Sequence, residues 1–194
     1  MDHQPDSGHA IPLAPNAMVA MTRDSLLALR DSLFRDLGIT AASYLQDAGY
    51  AGAAPVYEAF ARWLATRGYE SPERVGAAAF GAEASAFFAE AGWGSLELGN
   101  LGHGVATLDS NDWAEADPAH ALEFPGCYYT AGVLSDFFSR LADGPVAVME
   151  VECRSMGTER CRFLVGGPDV MQRVYDDMGR GVGYQEAISG APAE

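Results

Sequence analysis

Three cysteines and two glutamates restrict this chain more than any other feature. Cys127 stands alone, whereas Cys153 and Cys161 bracket a charged loop in the run EVECRSMGTERC, which opens with Glu150 and carries Glu152 just before the first thiol. Counted to Glu150, the pattern is C-x22-E-x2-C-x7-C. Thiolates and a carboxylate bind zinc tetrahedrally, and a hairpin with Cys153 and Cys161 at its two ends can present both sulfurs to one point. Cys127, Ala131, Leu134, Phe138 and Leu141 recur at helical spacing. That predicts a helix with Cys127 in its first turn and on its buried side, where the helix dipole favours the thiolate. Arg154, Arg160 and Arg162 stand beside these residues, either to offset the excess negative charge of such a site or as decoration of an exposed hairpin. Spacing leaves the choice of glutamate open. In a regular strand Glu150 and Glu152 share a face and Cys153 takes the other, so either pairing needs a twist or bulge. The competing readings are three small apolar side chains in a core, or a Cys153–Cys161 disulfide.

Charge and cation type exclude several functions. Twelve basic residues against 27 acidic ones leave a formal net charge of -15, a surface that repels phosphate backbones and argues against direct nucleic-acid binding. All twelve cations are arginines. Without a lysine there is no Schiff base, no GxxxxGK[ST] phosphate loop and no kinase-type lysine. The first 21 residues, interrupted by Pro12 and Pro15, have no basic region and do not read as a signal peptide, and no stretch has the length and apolarity of a membrane span. A cytoplasmic location with reduced thiols is the expectation, and the odd count of three cysteines agrees with it.

Along the chain, residues 1–20 read as a flexible arm, 21–180 as one domain and 181–194 as a tail. Leu26, Leu29, Leu33 and Leu37, with Leu27 and Phe34, predict an amphipathic helix stopped by Gly38. A short helix is expected up to Gly49 and another from Pro55 to Gly68, and Ser71-Pro72 reads as the start of the next. Past Gly92 the period changes to two, predicting an antiparallel strand pair. VAVMEVEC and RCRFLVGG follow the Cys127 helix as strands, and a last helix opens at Pro168. The order implies an α+β fold with helices packed on one side of a small antiparallel sheet.

The stretches GCYYTAGVLSDFFSRL and VMEVECRSMGTERCRFLV resemble the 4-vinyl reductase domain family, which includes the sensory domains of phenol-responsive bacterial transcription activators. The likeness spans residues 20–180, with its specific motifs between Gly126 and Val165. It implies a structural Zn2+ held by Cys127, Glu150, Cys153 and Cys161, which assigns the carboxylate to Glu150. It also implies a fold like that of TRAPP vesicle-tethering subunits, and a homodimer formed through N-terminal helices and outer sheet surfaces.

Four protein ligands leave no open position for an activated water, so the metal is expected to pin helix and hairpin together. In the sensors a buried pocket near the zinc holds a small aromatic molecule. The candidate lining here is Phe88, Trp93, Trp113, Phe137 and Phe138, with His103 as polar anchor, weighed against ordinary core packing. The resulting expectation is a zinc-stabilised sensor domain for a hydrophobic, aromatic ligand, passing its signal to a separate regulatory partner. The alternatives are a tetrapyrrole-binding accessory protein or enzyme of (bacterio)chlorophyll metabolism, and an architectural assembly subunit. The sequence offers no GxGxxG nicotinamide site, which favours a non-enzymatic reading.

Overall fold

In the computed structural model, which describes residues 11–190, the first helix runs over Arg23–Leu37 (α1). Thr22 caps it by accepting the Ser25 N–H, and Gly38 ends it with φ 58°. The buried face differs from the expected leucine stripe. Leu27 and Arg30 point inward, whereas Leu29 and Leu37 are exposed. Arg30 turns the helix this way because its guanidinium donates to the buried Glu115 carbonyl at 2.8 Å.

The two short helices expected next are one, Ala41–Thr66 (α2), running through both Gly49 and Pro55. Gly49 is a contact point rather than a stop. α2 crosses the helix Tyr128–Ala142 (α4) so closely that a Cβ on Gly49 would stand 2.1 Å from the Tyr129 carbonyl oxygen. One on Gly132 would stand 2.1 Å from that of Gln46. Packing of this kind overrides the local cost of an interior proline. Ser71-Pro72 opens a 3-10 turn, Pro72–Arg74, and the helix itself (α3) spans Ala77–Glu90.

Four antiparallel strands, Glu97–Gly102 (β1), Val105–Ser110 (β2), Ala147–Glu152 (β3) and Cys161–Gly166 (β4), form a sheet in the order β1-β2-β4-β3. Alternation along the strands divides the interior in two. Leu108, Val148 and Phe163 join α2, α3 and α4 in the main core, so the large helices lie on one side of the sheet as expected. Val105 and Leu164 point the other way, onto a smaller core completed by Pro168–Gly179 (α5) and Tyr184–Ser189 (α6).

The second core carries order past residue 180, because α6 buries Ala187 and Ile188. Of the expected arm and tail, residues 1–10 and 191–194 lie outside the described residues. Residues 11–20 include a 3-10 turn, Ala14–Asn16, whose buried Asn16 accepts Arg62 Nε–H at 2.7 Å. Among the described residues no helix is long and apolar enough to cross a membrane.

Candidate metal centre

β3 does not run straight into Cys153. Its pairing with β4 slips after Glu150, which stands opposite Phe163, while Glu152 stands opposite Arg162 and Val151 is the extra residue. Residues three apart on a regular strand face opposite ways, and this bulge turns Glu150 and Cys153 to the same side. Cys161 opens β4 on that side, next to Ser110 of β2, and Cys127 arrives as the N-cap of α4. The donor atoms of Cys127, Glu150, Cys153 and Cys161 lie within 4.8 Å of one another, and all four residues are buried.

The donor set fits a metal ion. The Cys127 sulfur lies 3.9 Å from that of Cys153 and 4.0 Å from that of Cys161. Sulfurs at two corners of a tetrahedron with Zn–S bonds of about 2.3 Å stand about 3.8 Å apart, whereas a disulfide needs about 2.05 Å. All three cysteines are free thiols. Glu150 accepts the Cys127 N–H through Oε2 at 2.8 Å, yet its Oε1 is buried without a hydrogen-bond partner. A buried carboxylate oxygen left unpaired is costly, and a cation among the sulfurs would satisfy it.

Electrostatics point the same way. Burial drives the Cys127 thiol well above its usual range, and burial followed by the Cys153 thiolate does the same to Glu150. Cys153 is driven down by contacts with the Cys127 and Cys161 thiols and by backbone N–H groups of Gly126 and Ser155. Left to themselves, then, these groups keep their negative charge mainly on Cys153. A divalent cation reverses that balance by favouring deprotonation of every donor.

Glu152 belongs to a different network. It pairs with Arg160 at 2.9 Å and accepts the Tyr184 hydroxyl, while Arg162 pairs with Asp109 at 2.6 Å. These contacts tie α6 to the second face of the sheet. Arg160 and Arg162 are therefore engaged by carboxylates there, rather than neutralising the thiols.

Comparison with known proteins falls on this region. Residues 111–167 match the model of the 4-vinyl reductase domain. The matched segment runs from the end of β2 through α4, β3 and β4 and contains all four clustered residues. Among solved structures, the chain resembles the phenol-responsive sensory domain of the transcription activator PoxR, solved with phenol, at a TM-score of 0.59 and 20% identity. That match covers 77% of this chain and 76% of the other, and it bears out the α+β, TRAPP-subunit-like fold class. A vinyl-4-reductase family protein from Methanocaldococcus jannaschii superposes at a TM-score of 0.46 with 19% identity, covering 62% of this chain and 66% of that one. No curated protein matches the sequence.

The aromatic residues singled out in the sequence converge beside the matched segment, with one exception. Phe88, Trp93 and Trp113, together with Thr130, Val133 and Leu134, enclose a void of ≈ 10 Å³. Phe137 packs on Phe88 at 5.4 Å between ring centroids, and Phe138 sits behind it against Phe80. Trp93 is the half-buried member, sandwiched between Trp113 and Tyr129 at 5.9 Å from each. His103 is not part of this cluster. It is exposed in the β1–β2 turn with φ 53°, between two glycines that also adopt positive φ, and so serves the hairpin.

The polar group beside the void is one the sequence did not announce. Glu115, fully buried, accepts the Tyr129 and Thr130 N–H groups at 3.0 and 2.8 Å, so its carboxylate caps α4 from outside the helix. Burial pushes its carboxyl up to about 7, against the pull of those donors and of Arg30. Trp113 Nε1–H donates to the Thr130 hydroxyl at 2.7 Å. Ser155, also buried, binds the same loop to the hairpin through Asp117 N–H and Leu122 N–H, both at 2.8 Å. Acidic residues in WAEAD look alike in sequence, and only the helix start that Glu115 meets distinguishes it.

Proposed function

We propose that this protein is a zinc-stabilised sensory domain that binds a small, neutral, aromatic ligand and relays its presence to a separate regulatory partner. The observation that carries the reading is the bulged β3, which gathers three sulfurs and a carboxylate oxygen one helix turn from an aromatic cluster. Cys127, Glu150, Cys153 and Cys161 would hold the zinc. The ion supplies cross-linking, not an open coordination site, and its affinity becomes folding stability.

The ligand would take the place of the Trp93 indole against Trp113. A cavity of about 150 Å³ accommodates benzene, so the ≈ 10 Å³ void must grow for the ligand to enter. Trp93 is suited to move because Gly92 and Gly94 flank it at φ 84° and 118°. Thr130 and Trp113 Nε1–H would supply the polar contact, and the displacement would reach the metal through α4. A dimer would form through the exposed Leu29, Leu37, Ile39 and Tyr44 of α1 and the start of α2. A cytoplasmic location suits a zinc–thiolate site.

Native mass spectrometry of the protein purified from its own host tests this reading, supported by tryptophan fluorescence titrated with phenol and larger neutral aromatics. The expected result is zinc, a dimer, and saturable quenching that Trp93→Ala alters. A zinc-bound dimer that binds no aromatic compound would leave an architectural role, and a co-purifying band in the porphyrin region would favour a tetrapyrrole carrier.

A further inference from the structure

Building on the metal reading above, we propose that the ion enters and leaves through one doorway, with Glu150 as the ligand that swings aside. A groove of ≈ 780 Å³ lies between the start of α4, β3 and α5. Four consecutive residues of β3, Ala147 to Glu150, line it. Side chains alternate along a strand, so a groove that touches all four runs along the strand's edge, and β3 is the edge strand of this sheet.

This groove meets the metal centre on one side only. Cys127 and Glu150 are part of its wall, whereas Cys153 and Cys161 are not, and both of these are 0% exposed. The hairpin loop seals them in, with Ser155 fastened to the segment before α4. Glu150, at 8%, is the most exposed of the four.

It is also the ligand best able to leave. A carboxylate oxygen is a harder, less tightly held donor for zinc than a thiolate. The Glu150 side chain has one hydrogen bond, from Cys127 N–H, and nothing retains Oε1. An incoming donor advancing along the groove takes the carboxylate's position, the carboxylate moves into the groove, and three thiolates keep the ion until further donors replace them. Protons and electrons are unchanged in the first exchange.

The rim of α5 controls passage. Tyr175 is 63% exposed and Gln172 is exposed one turn earlier, both lining the groove without joining the core. The test uses zinc-loaded protein mixed with excess 4-(2-pyridylazo)resorcinol, with release followed by the colour of the zinc complex. Tyr175→Ala is expected to release zinc several-fold faster and Gln172→Trp several-fold slower, each retaining the wild-type zinc content. Glu150→Cys, which replaces the displaceable ligand with a fourth thiolate, is expected to keep the metal and release it more slowly than either. Equal rates in the wild type, Tyr175→Ala and Gln172→Trp would overturn the doorway and leave the metal centre standing. A chain that takes up no zinc would overturn both.

Discussion

Cys127 donates its backbone N–H to Glu150 Oε2 at 2.8 Å, so the first residue of the α4 turn and the last regular residue of β3 are joined before any metal is considered. The bond aims the carboxylate at the sulfurs. It also makes the metal centre a junction between the helical layer and the sheet, and the consequences can be measured.

Losing one thiolate should undo that junction. Cys161→Ala is expected to lower unfolding free energy by more than about 4 kcal/mol, the range associated with loss of a structural metal. Chelating the wild type should bring its urea midpoint close to that of the variant. A large difference between the two would mean that the side chain stabilises by packing alone.

Glu152→Gln serves as the opposite case. Its carboxylate belongs to the Arg160–Tyr184 network on the other face of the sheet. Zinc content is expected to be unchanged, and the loss of stability to be about 1 kcal/mol or less. Loss of zinc in this variant would reassign the ligand.

The crossing of α2 and α4 makes Gly132 intolerant of a side chain. With a Cβ 2.1 Å from the Gln46 carbonyl oxygen and 2.8 Å from Tyr50 N, the backbones must separate. Gly132→Ala should cost about 3 kcal/mol by urea denaturation, despite alanine's better helix propensity. A gain in stability would show that the helices are further apart.

Glu115 gives a pH signature. Burial raises its carboxyl to about 7 in the folded chain, above the ordinary value of 4.5, so between these limits the folded state holds the proton more firmly than the unfolded one. The associated stability is complete below pH 4.5 and is lost as pH rises through about 7, amounting to about 3 kcal/mol. Other carboxylates, Glu152 among them, are driven down and act in the opposite sense. The informative quantity is therefore the difference from Glu115→Gln. The variant should gain on the wild type by about 3 kcal/mol from pH 4.5 to 8 in urea melts, and a pH-independent difference would contradict the assignment.

Much of this architecture was legible in the sequence because it rests on local signals. The period of two after Gly92, the Pro168 helix start and the buried face of Cys127, Ala131 and Leu134 all appear where expected. What failed was set by partners distant in sequence. Gly49 reads as a helix stop until Gly132 is found against the same helix, and Leu29 reads as core until Arg30 finds the Glu115 carbonyl. Spacing alone could not choose between Glu150 and Glu152, since the choice depends on one bulge residue, Val151. His103 had a suggestive position but a turn's backbone, and Glu115 had no pattern at all.

The most direct test is the zinc content of the purified chain, measured by native mass spectrometry alongside Cys161→Ala and Glu152→Gln. One zinc per chain in the wild type and in Glu152→Gln, and none in Cys161→Ala, is the predicted result. A wild-type chain that remains metal-free in the presence of zinc, or a Cys161→Ala chain that retains its full complement, would contradict it.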